Sequence, residues 1–418
     1  MKIIVAHEGK QHSFYTAQAL YNEGMLYKYI TTVYYRKGNW TYFISRFLRG
    51  KTLEKCKSHR IESIPEEYII QFSEWKGLLM LFLKRIPWLW NLFPIYYDWL
   101  HDSFGEKVAK YAIKNHVDVV IMYDTNANRC WEILKEKAPQ IKRVLDVSIA
   151  NRLYLKSVYE EDIRLCGNQE LRKEQKEIWD PRNIRRYEEE LENSQYYLAG
   201  SSFVKQSLMF SNVSPDKIFV VPYGVDTSQF KMKTNKNASL PLKVIFVGQI
   251  SYRKGIHHLL NVVSSFQPNE LELHILGAYD STQRYYLDYS KFENIHFEGF
   301  VTRNQIARFY QDADVFCLPS LGEGLALVIL EALGSGIPCV VSSNSGGSDV
   351  IVSGKNGYVF KAGDDSELKR ILTNIVNNPL ILKEMGENAL TSITNYRWDN
   401  YFKNLNNIVT QICDDSCP

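Results

Sequence analysis

The stretch DVFCLPSLGEGLALVILEALGSGIPCVVSS, residues 314–343, reads as a strand, a helix and a second strand. DVFCLPS and CVVSS are short apolar runs without polar alternation, the pattern of strands buried on both faces. The segment between them is long enough for a crossover helix, and βαβ wiring of this kind makes parallel sheets. The helix is expected to start near Gly324. Gly324, Leu325, Ala326 and Leu327 would then be its first-turn amides, unpaired within the helix and at the positive end of its dipole. Such an end binds anions. Glu331 lies seven residues past Gly324, so at ~100° per residue it returns to nearly the same face, ~10 Å further along. Glu323 stands just outside the tip. A carboxylate inside an otherwise apolar helix needs a partner, and sugar or ribose hydroxyls would serve as donors to it. Pairing with a Lys or Arg is the plainer alternative.

The same wiring extends back to the start of the chain. Further strand candidates are 2–7, 118–123, 143–148, 196–201 and 218–224 in the first half of the chain, and 242–248, 271–277 and 295–300 in the second. That is more than one sheet with one switch point holds. The expected fold is therefore α/β, with two doubly wound Rossmann-like domains facing across a cleft. The N-terminal domain is expected at 1–228 and the C-terminal one at 229–395, with a polar break over 227–243. Residues 398–412 form an amphipathic helix with Tyr401, Phe402, Leu405, Ile408, Val409 and Ile412 on one face. Ligands of open parallel sheets bind beyond the C-terminal strand ends at the switch point, so the chemistry belongs in the loops that follow the strands.

Composition narrows the class. The chain has 418 residues, enough for two cores. Its 45% hydrophobic and 23% charged content argues for a folded protein rather than a disordered one. A net charge of +3 gives no reason to expect nucleic acid. The seven Cys are irregularly spaced with no CxxC pair, which suits a reducing compartment, and Cys413 and Cys417 are given no role. MKIIVAH at the start reads as a strand rather than a signal sequence. The most apolar segment, 75–100, is broken by Lys84, Arg85, Pro87 and Pro94, against the ~20 continuous apolar residues a bilayer span needs. A cytoplasmic protein is expected.

Residues 199–360 resemble the retaining GT-B glycosyltransferases of family 4. The resemblance rests on the E-x7-E of Glu323 and Glu331 in LPS-x-x-EG-x7-EA-x3-G-x-P-x-V. Three further blocks agree in order and spacing: AGSSFVKQSL (199–208) with VVPYGVD (220–226), FVGQISYRKG (246–255) and GGSDVIVSGKNGYVF (346–360). It implies that a hexose-type sugar moves from a nucleotide diphosphate-sugar to a hydroxyl of a glycan or lipid-linked acceptor, with retained configuration, in cell-surface polysaccharide or glycolipid assembly. It also implies that the last helix, within 396–418, returns to the N-terminal domain. By position, Glu331 would bind the donor ribose and Glu323 the donor sugar. The amides of Gly324 to Leu327 would take sugar and phosphates, and the backbone near Phe300 and Val301 would face the base. Arg253 and Lys254 would neutralise the diphosphate, a role that also follows from the charge of the leaving group. No cofactor or metal ligand is implied, and the D-x-D at 312–314 precedes a strand and reads as a turn.

The chain departs from the pattern in three places. Gln249 follows Gly248 where an Arg is common. The first loop, HEGKQHS, has only Gly9; Gly9 and Lys10 still suit an anion or the donor's reacting end, and His12 and His7 are the nearest titratable candidates beside them, each also readable as a surface or core histidine. Tyr123 stands where a His is common, which leaves Asp124, and more weakly Asp146, as the carboxylates nearest the reaction. Each Asp could equally be structural. Two other functions stay open: a nucleotide-sugar epimerase or hydrolase, and a non-catalytic nucleotide-sugar-binding subunit. Residues 34–105 combine Tyr34, Tyr35, Trp40, Phe43, Trp75, Trp88, Trp90, Tyr96, Tyr97 and Trp99 with Arg36, Lys37, Arg46, Arg49, Lys51, Lys84 and Arg85. They read either as an aromatic-rich core or as a peripheral docking patch, within 34–100, for the anionic inner face of a membrane.

Overall fold

In a computed structural model, residues 1–9, 12–84, 86, 93–228, 230 and 239–415 are described. Lys10, Arg85, Trp88, Trp90, Cys417, most of the linker over 229–238 and the side chain of Lys51 lie outside the described residues.

Two parallel sheets carry the fold. The first contains β1 (Ile3–Ala6), β2 (Leu26–Thr31), β3 (Ile69–Gln71), β4 (Val119–Tyr123), β5 (Lys142–Val147), β6 (Tyr196–Ala199) and β7 (Ile218–Val220), in the order β3-β2-β1-β4-β5-β6-β7. The second contains β8 (Leu242–Val247), β9 (Leu271–Leu276), β10 (Ile295–Gly299), β11 (Val315–Leu318), β12 (Cys339–Ser342) and β13 (Gly357–Phe360), in the order β10-β9-β8-β11-β12-β13. Each order reverses direction once, between β1 and β4 and between β8 and β11. The switch-point loops are therefore those after Ala6, Tyr123, Val247 and Leu318.

All ten strands expected from apolar runs are present. Three others, β2, β3 and β13, are additional. β2 carries Tyr27 and Lys28 half-buried, and the Lys28 ammonium leaves the sheet to reach the Glu67 carbonyl at 2.6 Å. β3 has three residues, too few for a periodicity to show.

The first sheet packs on both faces. Ile4 and Ala6 join Phe104, Val108 and Trp131 on one side; Ile3 and Val5 join Ala17 and Leu20 on the other. That second core is continuous with the core of the second sheet through Leu155, Tyr159, Tyr223 and Leu321. The last helix, Trp398–Asp414, lies on helix Ser13–Asn22 of the first unit. There Tyr401 Oη is 2.9 Å from Thr16 Oγ1, Asn406 donates to the Ala19 carbonyl at 3.1 Å, and Trp398 stacks on Tyr15 at 3.5 Å between ring centres. The expected two-domain α/β fold with a returning C-terminal helix is the observed one.

Candidate functional site at the two switch points

The second-domain half is built by two loops held against each other. After β8 the chain turns through Ser251–Gly255. A Cβ on Gly255, which has φ +70°, would lie 2.0 Å from the Pro319 carbonyl oxygen, so only glycine lets this loop pass so close to the one after β11. The approach sets Arg253 and Lys254 opposite Glu323. Arg253 Nη1 donates to Glu323 Oε1 and to the Gly322 carbonyl, both at 2.7 Å. Lys254 Nζ is also 2.7 Å from Glu323 Oε1, and Ser320 Oγ donates to the same oxygen at 3.1 Å. Burial opposes ionisation of Glu323, but Lys254 and Arg253 outweigh it and hold the carboxyl below its usual value. Two cations on one carboxylate leave the cluster with one net positive charge.

This geometry refines the expected roles. Oε1 of Glu323 is filled by protein donors, whereas Oε2 has no partner among the described residues. The helix expected to start near Gly324 starts at Leu327. The reason is contact with the first domain: the Glu323 carbonyl accepts the Ala150 amide at 3.1 Å and the Gly324 carbonyl accepts Ser201 Oγ at 2.7 Å. The Ala326 amide donates to the Ser345 carbonyl and is not available to a ligand as expected. The amides of Gly324, Leu325, Leu327 and Val328 find no protein acceptor among the described residues. Glu331 lies in the first turns of the helix. Burial pushes its carboxyl above the usual range, and Arg303, whose Nη2 is 3.9 Å away, offsets part of that. At that distance there is an ion pair and no hydrogen bond, so the plainer alternative holds in part. Gln249 and Phe300 are exposed, Val301 is half-buried, and Gly248 takes φ +147° at the end of β8.

The first-domain half differs more from expectation. The Gly9 amide donates to His7 Nδ1 at 2.9 Å, so it does not present a free donor to an anion. His7 is pushed down to about 4 by burial and is neutral at physiological pH, which favours the core reading over the titratable one. His12 Nε2 is 3.0 Å from Asp146 Oδ1, and its ring packs on Tyr123 and Tyr223. Asp124 Oδ1 accepts the Ser148 amide at 3.0 Å, and burial raises its carboxyl above the usual value. Through Ser148 it supports the loop that touches Gly324.

Four carboxylates escaped the sequence reading because their partners are distant in the chain. Glu174 accepts the amides of Tyr252 and Arg253 at 2.8 and 3.1 Å, clamping the cationic loop from the other domain. Asp349 accepts the Ser202 amide at 2.7 Å, again across the domains. Glu190 accepts the amides of Thr125, Ala127 and Asn128 and so caps helix Asn128–Lys137. Glu8, buried directly after β1, lies 3.2 Å from His101; burial raises its carboxyl and lowers the imidazole to about 3. Tyr97 packs on that His101 ring and also lines a cavity of about 320 Å³. Thr125, Arg152, Arg186 and Glu190 complete much of its wall, beside the β4 switch-point loop.

The aromatic segment is divided. Tyr34 is buried, while Trp40 (64% exposed), Phe43, Phe47 (73%), Trp75 and Trp99 face outward, so a core role does not hold for these. Among the described residues no helix is long and apolar enough to cross a membrane.

Residues 227–391 match the family model described as glycosyl transferases group 1. The chain is 27% identical to an uncharacterized glycosyltransferase of Methanocaldococcus jannaschii over 61% of its own length and 68% of the relative's. It is 28% identical to the UDP-Gal:alpha-D-GlcNAc-diphosphoundecaprenol alpha-1,3-galactosyltransferase of Escherichia coli over 44% of its length and 51% of the relative's. Several further curated relatives are matched over 41–44% of their length. In fold it is similar to the sucrose-phosphate synthase of Thermosynechococcus elongatus, with a TM-score of 0.65, 16% identity and 99% of each chain covered. Two facing parallel sheets, the group 1 domain over the second of them and relatives of this kind make the chain a glycosyltransferase of GT-B fold.

Proposed function

We propose that the protein is a retaining, family 4-type glycosyltransferase. It transfers a hexose from a nucleotide diphosphate-sugar, a uridine diphosphate-sugar in the first instance, to a hydroxyl of a glycan or lipid-linked acceptor in cell-surface polysaccharide or glycolipid assembly. The observation that carries the reading is the Arg253–Lys254–Glu323 cluster beside the free amides at the start of helix Leu327–Gly334. The cluster's net positive charge and the helix dipole both favour a diphosphate there. They act most strongly as the C–O bond breaks and negative charge builds on the leaving phosphate. In this reading Glu323 orients both cations through Oε1 and offers Oε2 to a sugar hydroxyl, and Glu331 takes the ribose. Gly248, Gln249 and the backbone of Phe300 and Val301 border the nucleotide, while His12 and Asp124 support the first-domain wall. The diphosphate charge is met by side chains and amides, and we assign no metal to the transfer step.

The acceptor is assigned to the cavity beside Thr125. Its mixed lining of Arg152, Arg186, Tyr97 and Glu190 offers both donors and acceptors to a hydroxylated or phosphate-bearing molecule. The exposed Trp40, Phe43, Phe47 and Trp75, with Arg36, Lys37 and Arg46 nearby in sequence, would dock the first domain on an anionic lipid surface, where a lipid-linked acceptor is held. The relative whose name carries UDP-Gal and a diphosphoundecaprenol substrate supports both the base and the acceptor class.

Calorimetric titration with uridine, guanosine and adenosine diphosphate-hexoses, with Glu331→Ala alongside, tests the donor site. Binding confined to the uridine class, weakened by about 1–3 kcal/mol in the variant, is expected. A folded protein that binds none of them would sink the reading. The anomeric configuration of the product, read by NMR, decides retention, and an inverted product would remove the family 4 assignment alone.

A further inference from the structure

Away from the donor loops, helix Arg152–Cys166 of the first domain meets helix Ile256–Val263 of the second. Asp162 and Cys166, four residues apart, share a face of the first helix. His257 and His258 lie in the opening turn of the second. His257 Nε2 is 3.1 Å from Asp162 Oδ2, His258 Nε2 is 2.7 Å from Asp162 Oδ1, and Cys166 Sγ is 3.9 Å from Asp162 Oδ1. One ligand atom from each of the four residues lies within 4.8 Å of all the others.

Three features go beyond a simple ion pair. The set combines one thiol, two imidazoles and one carboxylate, the donor types that Zn²⁺ takes in four-coordinate sites. Bond lengths of about 2.0–2.3 Å put tetrahedral ligand atoms about 3.3–3.7 Å apart, so separations of up to 4.8 Å must shorten by about 1 Å while the His258–Asp162 contact at 2.7 Å lengthens by about 0.6 Å. Second, His258 Nδ1 is 2.6 Å from Asp365 Oδ1, and Asp365 also accepts Asn261 Nδ2 at 2.7 Å. A carboxylate on the far ring nitrogen is the outer-shell arrangement that orients a ligating imidazole and turns its other nitrogen toward the ion. Third, charge balances: a thiolate, a carboxylate and two neutral imidazoles around a divalent cation sum to zero. Cys166 is exposed, which gives an ion a way in.

We propose that Asp162, Cys166, His257 and His258 form a structural site for Zn²⁺ or a similar borderline-soft divalent ion, which pins the two domains to each other. The ligands come from stretches about ninety-five positions apart, so no local spacing advertises the site. The ion would act on the cleft through position. Leu155 and Tyr159, on the helix that carries Asp162, pack against Gly322 beside Glu323, and His257 follows Lys254 by three positions.

The test is titration of the metal-stripped full-length protein with Co²⁺, followed by displacement with Zn²⁺. One equivalent of Co²⁺ with the intense visible bands of a tetrahedral ion is expected, together with a thiolate-to-cobalt charge-transfer band that Zn²⁺ abolishes. Cys166→Ser, at an exposed position, should fold normally and lose the charge-transfer band. Asp365→Asn should keep the band and weaken binding by about 10–100-fold. Absence of binding up to millimolar Co²⁺, an octahedral spectrum, or a spectrum unchanged by Cys166→Ser would each overturn the proposal.

Discussion

Glu323 holds two cations with a single oxygen, and that economy has a measurable consequence. Arg253 Nη1 and Lys254 Nζ both sit 2.7 Å from Oε1, with all three side chains at most one-fifth exposed. Glu323→Gln leaves two buried cations side by side without their anion. Breaking a buried pair from one side costs about 3–5 kcal/mol, and partial exposure puts the expected loss near ~3 kcal/mol in denaturant unfolding. The carboxyl is depressed in the folded state, so its contribution is full above its ordinary value and is lost as pH falls through the lowered one. The gap between wild type and variant should therefore close in acid, and a gap that persisted would show that charge is not its source. Glu190 behaves in the opposite sense. Burial raises it to about 7 even though three amides donate to it. The folded state then binds the proton more tightly than the unfolded one, so its contribution declines as pH rises from about 4.5 to about 7, by up to about 3 kcal/mol. Glu190→Gln should flatten that slope; parallel stability curves for the two proteins over this range would refute it. Glu323, Arg253 and Lys254 were legible in the sequence as residues in loops after strands. Their mutual pairing was not, because it depends on Gly255 passing against Pro319. Glu190 was invisible for the same kind of reason: it caps a helix some sixty positions away.

At the scale of elements, the strands that sequence makes plain are those apolar on both faces. Val119–Tyr123 and Val315–Leu318 are buried throughout, whereas β2 hides behind a lysine that escapes the sheet to Glu67. The start of helix Leu327–Gly334 was misplaced by three residues. The turn LGEG after the preceding strand would begin it near Gly324, but that residue's carbonyl is held by Ser201 and its neighbour's by Ala150. Tertiary contacts thus set the helix start at the point where the unpaired amides are presented. The final helix was legible from its stripe of apolar residues, and its docking follows from where that stripe must go. Tyr401, Leu405, Val409 and Ile412 are buried. Leu405 is fully enclosed, so Leu405→Ala should cost about 2–4 kcal/mol. The loss should appear as a lower denaturation midpoint at unchanged slope. A loss below about 1 kcal/mol would mean that the helix rests on the domain without packing into it.

On the scale of the molecule, the cleft is held narrow by backbone contacts that glycine makes possible. A Cβ on Gly324 would lie 2.1 Å from the Ser148 carbonyl oxygen and 3.0 Å from its carbon, both on the opposite domain. Backbone atoms on both sides cannot yield as a flexible side chain would, so Gly324→Ala must part the domains at this point or rotate one against the other. The hydrophobic packing under each sheet is made by residues other than Gly324, so it persists in either case. The expected variant is folded, with an unfolding transition in the usual range, and has a larger radius of gyration by small-angle scattering. Its glycosyl transfer should fall by about 100-fold in kcat/KM, the size of loss that follows a displacement of about 1 Å between reacting groups. Leu325→Ala, at the neighbouring buried position and removing atoms rather than adding them, serves as the control that should lose stability without expanding the molecule. If Gly324→Ala kept both its compactness and its rate, the contact with Ser148 would not set the width of the cleft. Domain closure would then rest on the polar ties through Glu174, Asp349, Ala150, Ser201 and Asp162.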